Sequence, residues 1–178
     1  MLKTIRSWLL LGIFGLILIG CKDNSKKDES TANNTSLKTE KQNDTYVTVD
    51  LDDGSTLEMK VKKQWGNARS PNILNVNMTD YSLLVILRLR SRDTPIEEKD
   101  YEDPDADITL KNVTKDGPID EEYRSYYYKN ENGQEGETKI TVTYRGENHT
   151  EGTFTGTLYS KSHKKAVIRG KFNIQKKK

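Results

Sequence analysis

From Tyr46 onward, apolar and polar residues alternate in short runs separated by turn residues. Val47, Val49 and Leu51 alternate with polar neighbours, then Asp52-Asp53-Gly54-Ser55 reads as a turn. Leu57, Met59 and Val61 resume the alternation, so the first two runs predict a hairpin. Trp65-Gly66 and Ser70-Pro71 mark a connection, and Leu74, Val76 and Met78 give a third strand. Ser82–Arg90 is the most apolar run. It predicts a central strand covered on both faces, with Arg88-Leu89-Arg90 emerging into water. Asp93–Asp107 reads as an acidic loop, Ile108–Val113 as a short strand and Lys115–Pro118 as a turn. Glu122–Lys129 reads as a tyrosine-rich strand and Asn130–Gly136 as a polar loop. Ile140, Val142 and Tyr144 then alternate with Thr141, Thr143 and Arg145. Phe154 and Leu158 lie on one face of the next strand, and Ile168, Phe172 and Ile174 close the chain, with Gly170 as a bulge or close approach. The pattern predicts an all-β domain over residues 45–178, an antiparallel β-sandwich of about eight strands. A small calycin-like barrel is the alternative.

Before Tyr46 the pattern is different. Residues 22–44 are almost wholly polar and predict a disordered tether, holding the domain roughly 25–30 Å from its attachment point. Residues 1–20 start with two basic residues, Lys3 and Arg6, followed by the apolar run Trp8–Ile19. As a helix that run reaches about 18 Å, short of a bilayer core of about 30 Å. A basic start, a short apolar run and a small residue, Gly20, predict a cleaved secretory signal.

Leu18-Ile19-Gly20-Cys21 resembles the lipobox of bacterial lipoproteins at all four positions. The resemblance implies cleavage before Cys21, a thioether-linked diacylglycerol on its sulfur and a further acyl chain, such as palmitate, on the new amino group. More than one chain is what makes such attachment firm. The residue after Cys21 is Lys22 rather than the Asp that keeps some lipoproteins at the inner membrane. The expected location is therefore the bacterial cell envelope, at the outer membrane.

The C-terminal end, Gly136–Thr143, Glu151-Gly-Thr-Phe-Thr-Gly-Thr-Leu158 and Ile168-Arg-Gly170-Lys-Phe172, resembles the ending of small Bacteroidota-type lipoproteins that carry a β-sandwich domain of unknown function. It implies location and fold, and no activity.

Composition changes this picture little. The chain has 29 Lys+Arg against 27 Asp+Glu. Loss of Lys3 and Arg6 with the signal leaves 27 of each, so charge gives no reason to expect nucleic acid. Cys21 is the only cysteine, so the domain has no disulfide or cysteine nucleophile available.

Candidate chemistry is sparse. Asp103-x-Asp105-x-Asp107 has the spacing of an oxygen-donor calcium loop, but Ile108 stands where the loop needs glycine and Thr114 where it needs a bidentate Glu. No metal or cofactor is expected. His149 and His163 sit in predicted turns, with no Gly-x-Ser-x-Gly elbow for serine catalysis. The tyrosine-rich run offers aromatic rings on both faces. Tyr101, Tyr123, Tyr127 and Trp65 are the candidate ligand surface, as a stacking platform for glycan or a hot spot for protein. The basic segments Lys161–Lys165 and Lys176–Lys178 read as a solvated turn and tail. The expectation is a non-enzymatic envelope lipoprotein that binds or supports a partner. The alternatives are a carrier of a small apolar ligand, or an enzyme using the acidic-loop carboxylates.

Overall fold

The computed structural model describes residues 45–175. The expected signal peptide 1–20, the lipid site Cys21, the tether 21–44 and Lys176–Lys178 lie outside them. Every regular element among the described residues is a strand: β1 Tyr46–Leu51, β2 Thr56–Lys60, β3 Lys63–Ser70, β4 Ile73–Thr79, β5 Leu83–Arg90, β6 Asp100–Glu102, β7 Ala106–Asn112, β8 Tyr123–Arg124, β9 Glu137–Arg145, β10 His149–Ser160 and β11 Lys165–Gln175. The domain is all-β and antiparallel, as the alternation predicts, with eleven strands instead of about eight.

The strands form one curled sheet in the order β2-β1-β11-β10-β8-β7-β5-β4-β3, with β9 paired to β10 and β6 paired to β9. Two features curl it. β8 is only two residues long. It bonds to β7 through Thr109↔Arg124 and Leu110↔Tyr123, and to β10 through Tyr159↔Arg124 and Ser160↔Tyr123. At the far end β2 and β3 are consecutive, joined by Val61 and Lys62. The Val61 amide donates to Thr45 O at 2.9 Å, before β1, and the Lys62 amide to Thr79 O at 2.9 Å, at the end of β4. One bent chain segment thus serves both ends of the sheet. The hydrogen-bonded path stops at β2 and β3, unlike the closed ladder of a calycin barrel.

The inside of the curl is one apolar core. Val47, Val49, Val76, Leu87, Ile108, Ile140, Leu158 and Ile168 are fully buried within it. Each such side chain contributes about 1.5–3 kcal/mol of burial. Strand alternation decides which residues enter it, since neighbouring side chains point to opposite faces.

Four local expectations change, and the alternative left open at Gly170 is decided. β3 replaces the predicted connection at Trp65-Gly66, because pairing with β4 carries a segment that has no alternation of its own. The acidic loop contains β6 and the start of β7. The tyrosine-rich segment is strand only at Tyr123–Arg124, where it bridges β7 and β10. β5 is covered on one face: Leu83, Val85, Leu87 and Leu89 are buried, whereas Leu84, Ile86 and Arg88 on the other are half-buried. Gly170 is a close approach, not a bulge. Its pairing with Phe154 and Val47 is regular, and a Cβ there would lie 2.7 Å from the Phe154 ring. The irregularity falls instead between Glu151 and Gly152.

Candidate functional site

A cleft of about 790 Å³ opens on the outer face where β4 begins and β5 ends. Its size falls within the range of small-ligand sites, roughly 300–1,000 Å³. Four arginines, Arg88, Arg90, Arg92 and Arg124, line it with Tyr126, Tyr127, Asp105 and Asp107.

Alternation on β5 sends Arg88 and Arg90 outward, because Leu87 and Leu89 point into the core. Arg88 faces Asp107 across the β5–β7 ladder and donates to Oδ2 at 2.7 Å. The other Asp107 oxygen accepts from the Ser125 hydroxyl at 3.2 Å. Asp107 is therefore held from two sides.

Ser125 positions the tyrosines. It is fully buried, its hydroxyl accepts from the Ile108 amide at 3.0 Å, and its carbonyl accepts from Gly136 N at 2.9 Å. With Ser125 fixed inside, the chain that follows runs over the surface. Tyr126 is 51% and Tyr127 70% exposed, their rings 6.3 Å apart and nearly perpendicular at 79°. The Arg124 guanidinium lies 5.3 Å from the Tyr127 ring centre and is paired to Glu122. That pairing holds the guanidinium pKa above even its ordinary value, so its charge is permanent. Arg88 and Arg124 each have an acidic partner. Among the described residues, the exposed side chains of Arg90 and Arg92 have none.

The arrangement can grip an anion with two free guanidinium groups, which offer planar, bidentate donors. It can stack a ring on tyrosine. Asp107 pairs with Arg88, and Asp105 stands beside Arg90, whose amide donates to its carbonyl at 2.8 Å, so the cleft carries both signs of charge.

The four aromatic residues expected to form one ligand surface are not together. Tyr101 and Tyr123 are each 3% exposed and belong to the core. Tyr101 sits inward on β6 because Asp100 and Glu102 take the outward positions, and its hydroxyl meets the Glu97 amide at 2.7 Å. Tyr123 enters the core through the ladder of β8, and burial pushes its phenol pKa up. Trp65 is half-exposed on β3, beneath Lys63 at 5.4 Å, and does not line the cleft. Of the four, Tyr127 alone lines it. The arginines were missed as site residues. Their signal was present in Arg88-x-Arg90-x-Arg92, an alternation read as a solvated strand end.

The acidic loop is fastened down rather than convergent. Asp100 pairs with Lys139 at 2.6 Å and accepts from Thr141 at 2.7 Å, and Asp103 accepts from the Thr138 amide at 3.0 Å. Burial, with Asp107, Glu135 and Glu137 nearby, pushes the Asp103 pKa up despite that amide. Among the described residues no cluster of three or more His, Cys, Asp or Glu is placed to hold a metal. His149 stacks on Tyr144 at 4.5 Å and meets Glu151 at 3.0 Å, while His163 Nδ1 lies 2.7 Å from Lys129 O. In the basic turn, Lys164 pairs with Asp120 at 3.1 Å.

Comparison with protein-family models, curated proteins and solved structures finds no match to this chain.

Proposed function

We propose that this chain is a lipid-anchored protein of the bacterial cell envelope, held at the outer membrane through Cys21, and that its β-domain is a non-enzymatic binding module for an anionic ligand. One observation carries the binding half: four arginines and two exposed tyrosines converge on one cleft, and Arg90 and Arg92 have no internal partner among the described residues. Like charges that line one cleft repel each other, and an anion relieves that repulsion. The anchor half rests on the lipobox and the polar tether.

The carrier alternative draws no support from the interior, where apolar side chains from both walls meet in one core. The enzyme alternative draws none from the acidic loop, whose Asp100 and Asp103 are engaged with β9.

The binding half is tested with the full chain in detergent micelles on an anionic resin. Arg90→Ala/Arg92→Ala is expected to elute at clearly lower salt than the native chain, with an unchanged melting temperature. Identical elution removes the cleft from the proposal. For the anchor, Cys21→Ser is expected to leave the membrane fraction. Mass spectrometry finding a free Cys21 thiol in the native product rejects it.

A further inference from the structure

We infer that the cleft takes an acidic saccharide: a sugar chain bearing carboxylates, whose ring stacks on Tyr127 while Arg90 and Arg92 hold a carboxylate. This rests on the anion-binding reading above and narrows its ligand.

Three observations select this chemistry. The first is the charge arrangement. Of the four arginines, Arg88 is neutralised by Asp107 and Arg124 by Glu122. Among the described residues Arg90 and Arg92 have no acidic partner and are left for a ligand, and Asp105 faces the same cleft. A densely charged polyphosphate would gain two contacts and meet two aspartates. Asp105 stands beside Arg90, whose amide donates to its carbonyl at 2.8 Å, so a ligand that carries hydroxyls next to its carboxylates can satisfy both: carboxylate to the arginines and hydroxyl donors to Asp105. Ser70, Asn72 and Ser91 continue a polar lining able to exchange hydrogen bonds with hydroxyls.

The second is the ring geometry. Tyr127 is 70% exposed, and Arg124 lies over its ring at 5.3 Å. The Tyr126 ring lies 6.3 Å away at 79° to it, so two exposed aromatic rings stand nearly perpendicular in the cleft. An exposed aromatic face suits a pyranose ring, whose C–H face is apolar and whose edge carries hydroxyls. An acidic peptide has carboxylates but no such face.

The third is preorganisation. Buried Ser125 fixes the segment that carries both tyrosines, and β5 fixes the backbone at Arg90. A site that is already ordered loses less freedom on binding.

The experiment is calorimetric titration of the full chain in detergent micelles with trimers of galacturonate, mannuronate and guluronate. The comparison ligands are their methyl esters and triglutamate. At least one uronate trimer is expected to bind at least tenfold more tightly than both its ester and triglutamate. Tyr127→Ala is expected to weaken it about tenfold, the size of one aromatic contact, while Tyr127→Phe retains binding. Arg90→Ala/Arg92→Ala is expected to weaken it by about 10- to 100-fold, as for lost charged hydrogen bonds. If triglutamate binds as well as every uronate and Tyr127→Ala changes nothing, the saccharide inference fails and the anion cleft stands. If neither uronates nor triglutamate bind, or each ester matches its acid, both fail.

Discussion

The β10–β11 hairpin and the arginine cleft are built on opposite principles. The hairpin pairs eleven residues of β10 with eleven of β11, from His149↔Gln175 to Tyr159↔Lys165, without a register shift. Its inward residues Phe154, Leu158, Ile168 and Phe172 are buried, and its outward ones are largely threonine, lysine and arginine. All the information for it lies in two adjacent stretches of chain. The cleft draws on residues 70–73, 88–92, 104–107 and 124–127, which no local pattern connects. Stability and recognition are thus stored in different parts of the domain. Stability follows the period of two along a strand. The cleft is made where strands end and side chains from separate segments reach the same space.

The hairpin is most sensitive at Gly152. A Cβ there would lie 2.3 Å from the Thr141 carbonyl oxygen and 2.3 Å from the Phe172 ring. The carbonyl belongs to the β9 ladder and cannot move aside. Gly152→Val is expected to cost about 3 kcal/mol or more, at or beyond the upper end of overpacking effects. Urea denaturation measures it. A wild-type midpoint would show that the hairpin does not carry the stability assigned to it.

β5 sharpens the contrast within a single strand. Leu87 is fully buried in the core, whereas Arg90 on the opposite face is exposed in the cleft. Leu87→Ala is expected to lose about 2–5 kcal/mol through the cavity it leaves. Arg90→Ala is expected to stay within about 0.5 kcal/mol, as exposed positions do. Equal losses in thermal denaturation would mean that the cleft is part of the structural frame.

The β4–β5 turn lies between these extremes. Asp80 Oδ1 accepts from Ser82 N at 2.8 Å, Ser82 Oγ at 2.7 Å and Leu83 N at 2.8 Å. These bonds hold Tyr81 at φ 80, a left-handed conformation that tyrosine rarely adopts. Burial alone would push the Asp80 pKa up. The Leu83 and Ser82 amides and the Ser82 hydroxyl outweigh it and hold the carboxyl below its ordinary value. A carboxyl with a lowered folded pKa stabilises above its unfolded value, and that contribution is lost as pH falls through the folded one. Asp80→Ala is therefore expected to cost about 1–3 kcal/mol at neutral pH, the range for orphaned buried donors. The gap should narrow below about pH 3.9. A gap independent of pH would assign the effect to backbone strain instead of the carboxylate.

These contrasts explain what was legible in the chain and what was not. Val47, Val49, Phe154, Leu158, Ile168 and Phe172 announced themselves because alternation is a local signal, and all of them are buried. β3 was hidden because Lys-Gln-Trp-Gly-Asn-Ala-Arg-Ser alternates nothing. It is a strand through its pairing with β4 and its link to β2. Tyr123 and Tyr127 look alike in sequence, four residues apart, yet one is core and the other is 70% exposed. What separates them is buried Ser125, whose bonds reach back to Ile108 on β7. The cleft was invisible for the same reason. Convergence of Arg88 and Arg92 with Arg124 depends on β5, β7 and β8 lying side by side, which no short window of sequence encodes.

The smallest effect is expected at Asp103, on the edge between the acidic loop and β9. Its carboxylate accepts from the Thr138 amide, yet burial and the nearby Asp107, Glu135 and Glu137 push its pKa up. The sign is opposite to that of Asp80. A carboxyl whose folded pKa is raised favours the fold below its unfolded pKa, and that advantage is lost as pH rises through the folded one. Asp103→Asn keeps an oxygen to accept from Thr138 and removes the charge. At pH 7 it is expected to leave stability unchanged or raise it by up to about 0.5 kcal/mol. Below about pH 3.9, where the native carboxyl is protonated too, the difference should vanish. Melting temperatures of both chains between pH 3 and pH 8 decide it. A variant less stable at pH 7, in metal-free buffer and without calcium dependence, would show that the Thr138 amide needs the full negative charge. A deficit that appears only with added calcium would mean that Asp103, Asp105 and Asp107 bind a cation after all.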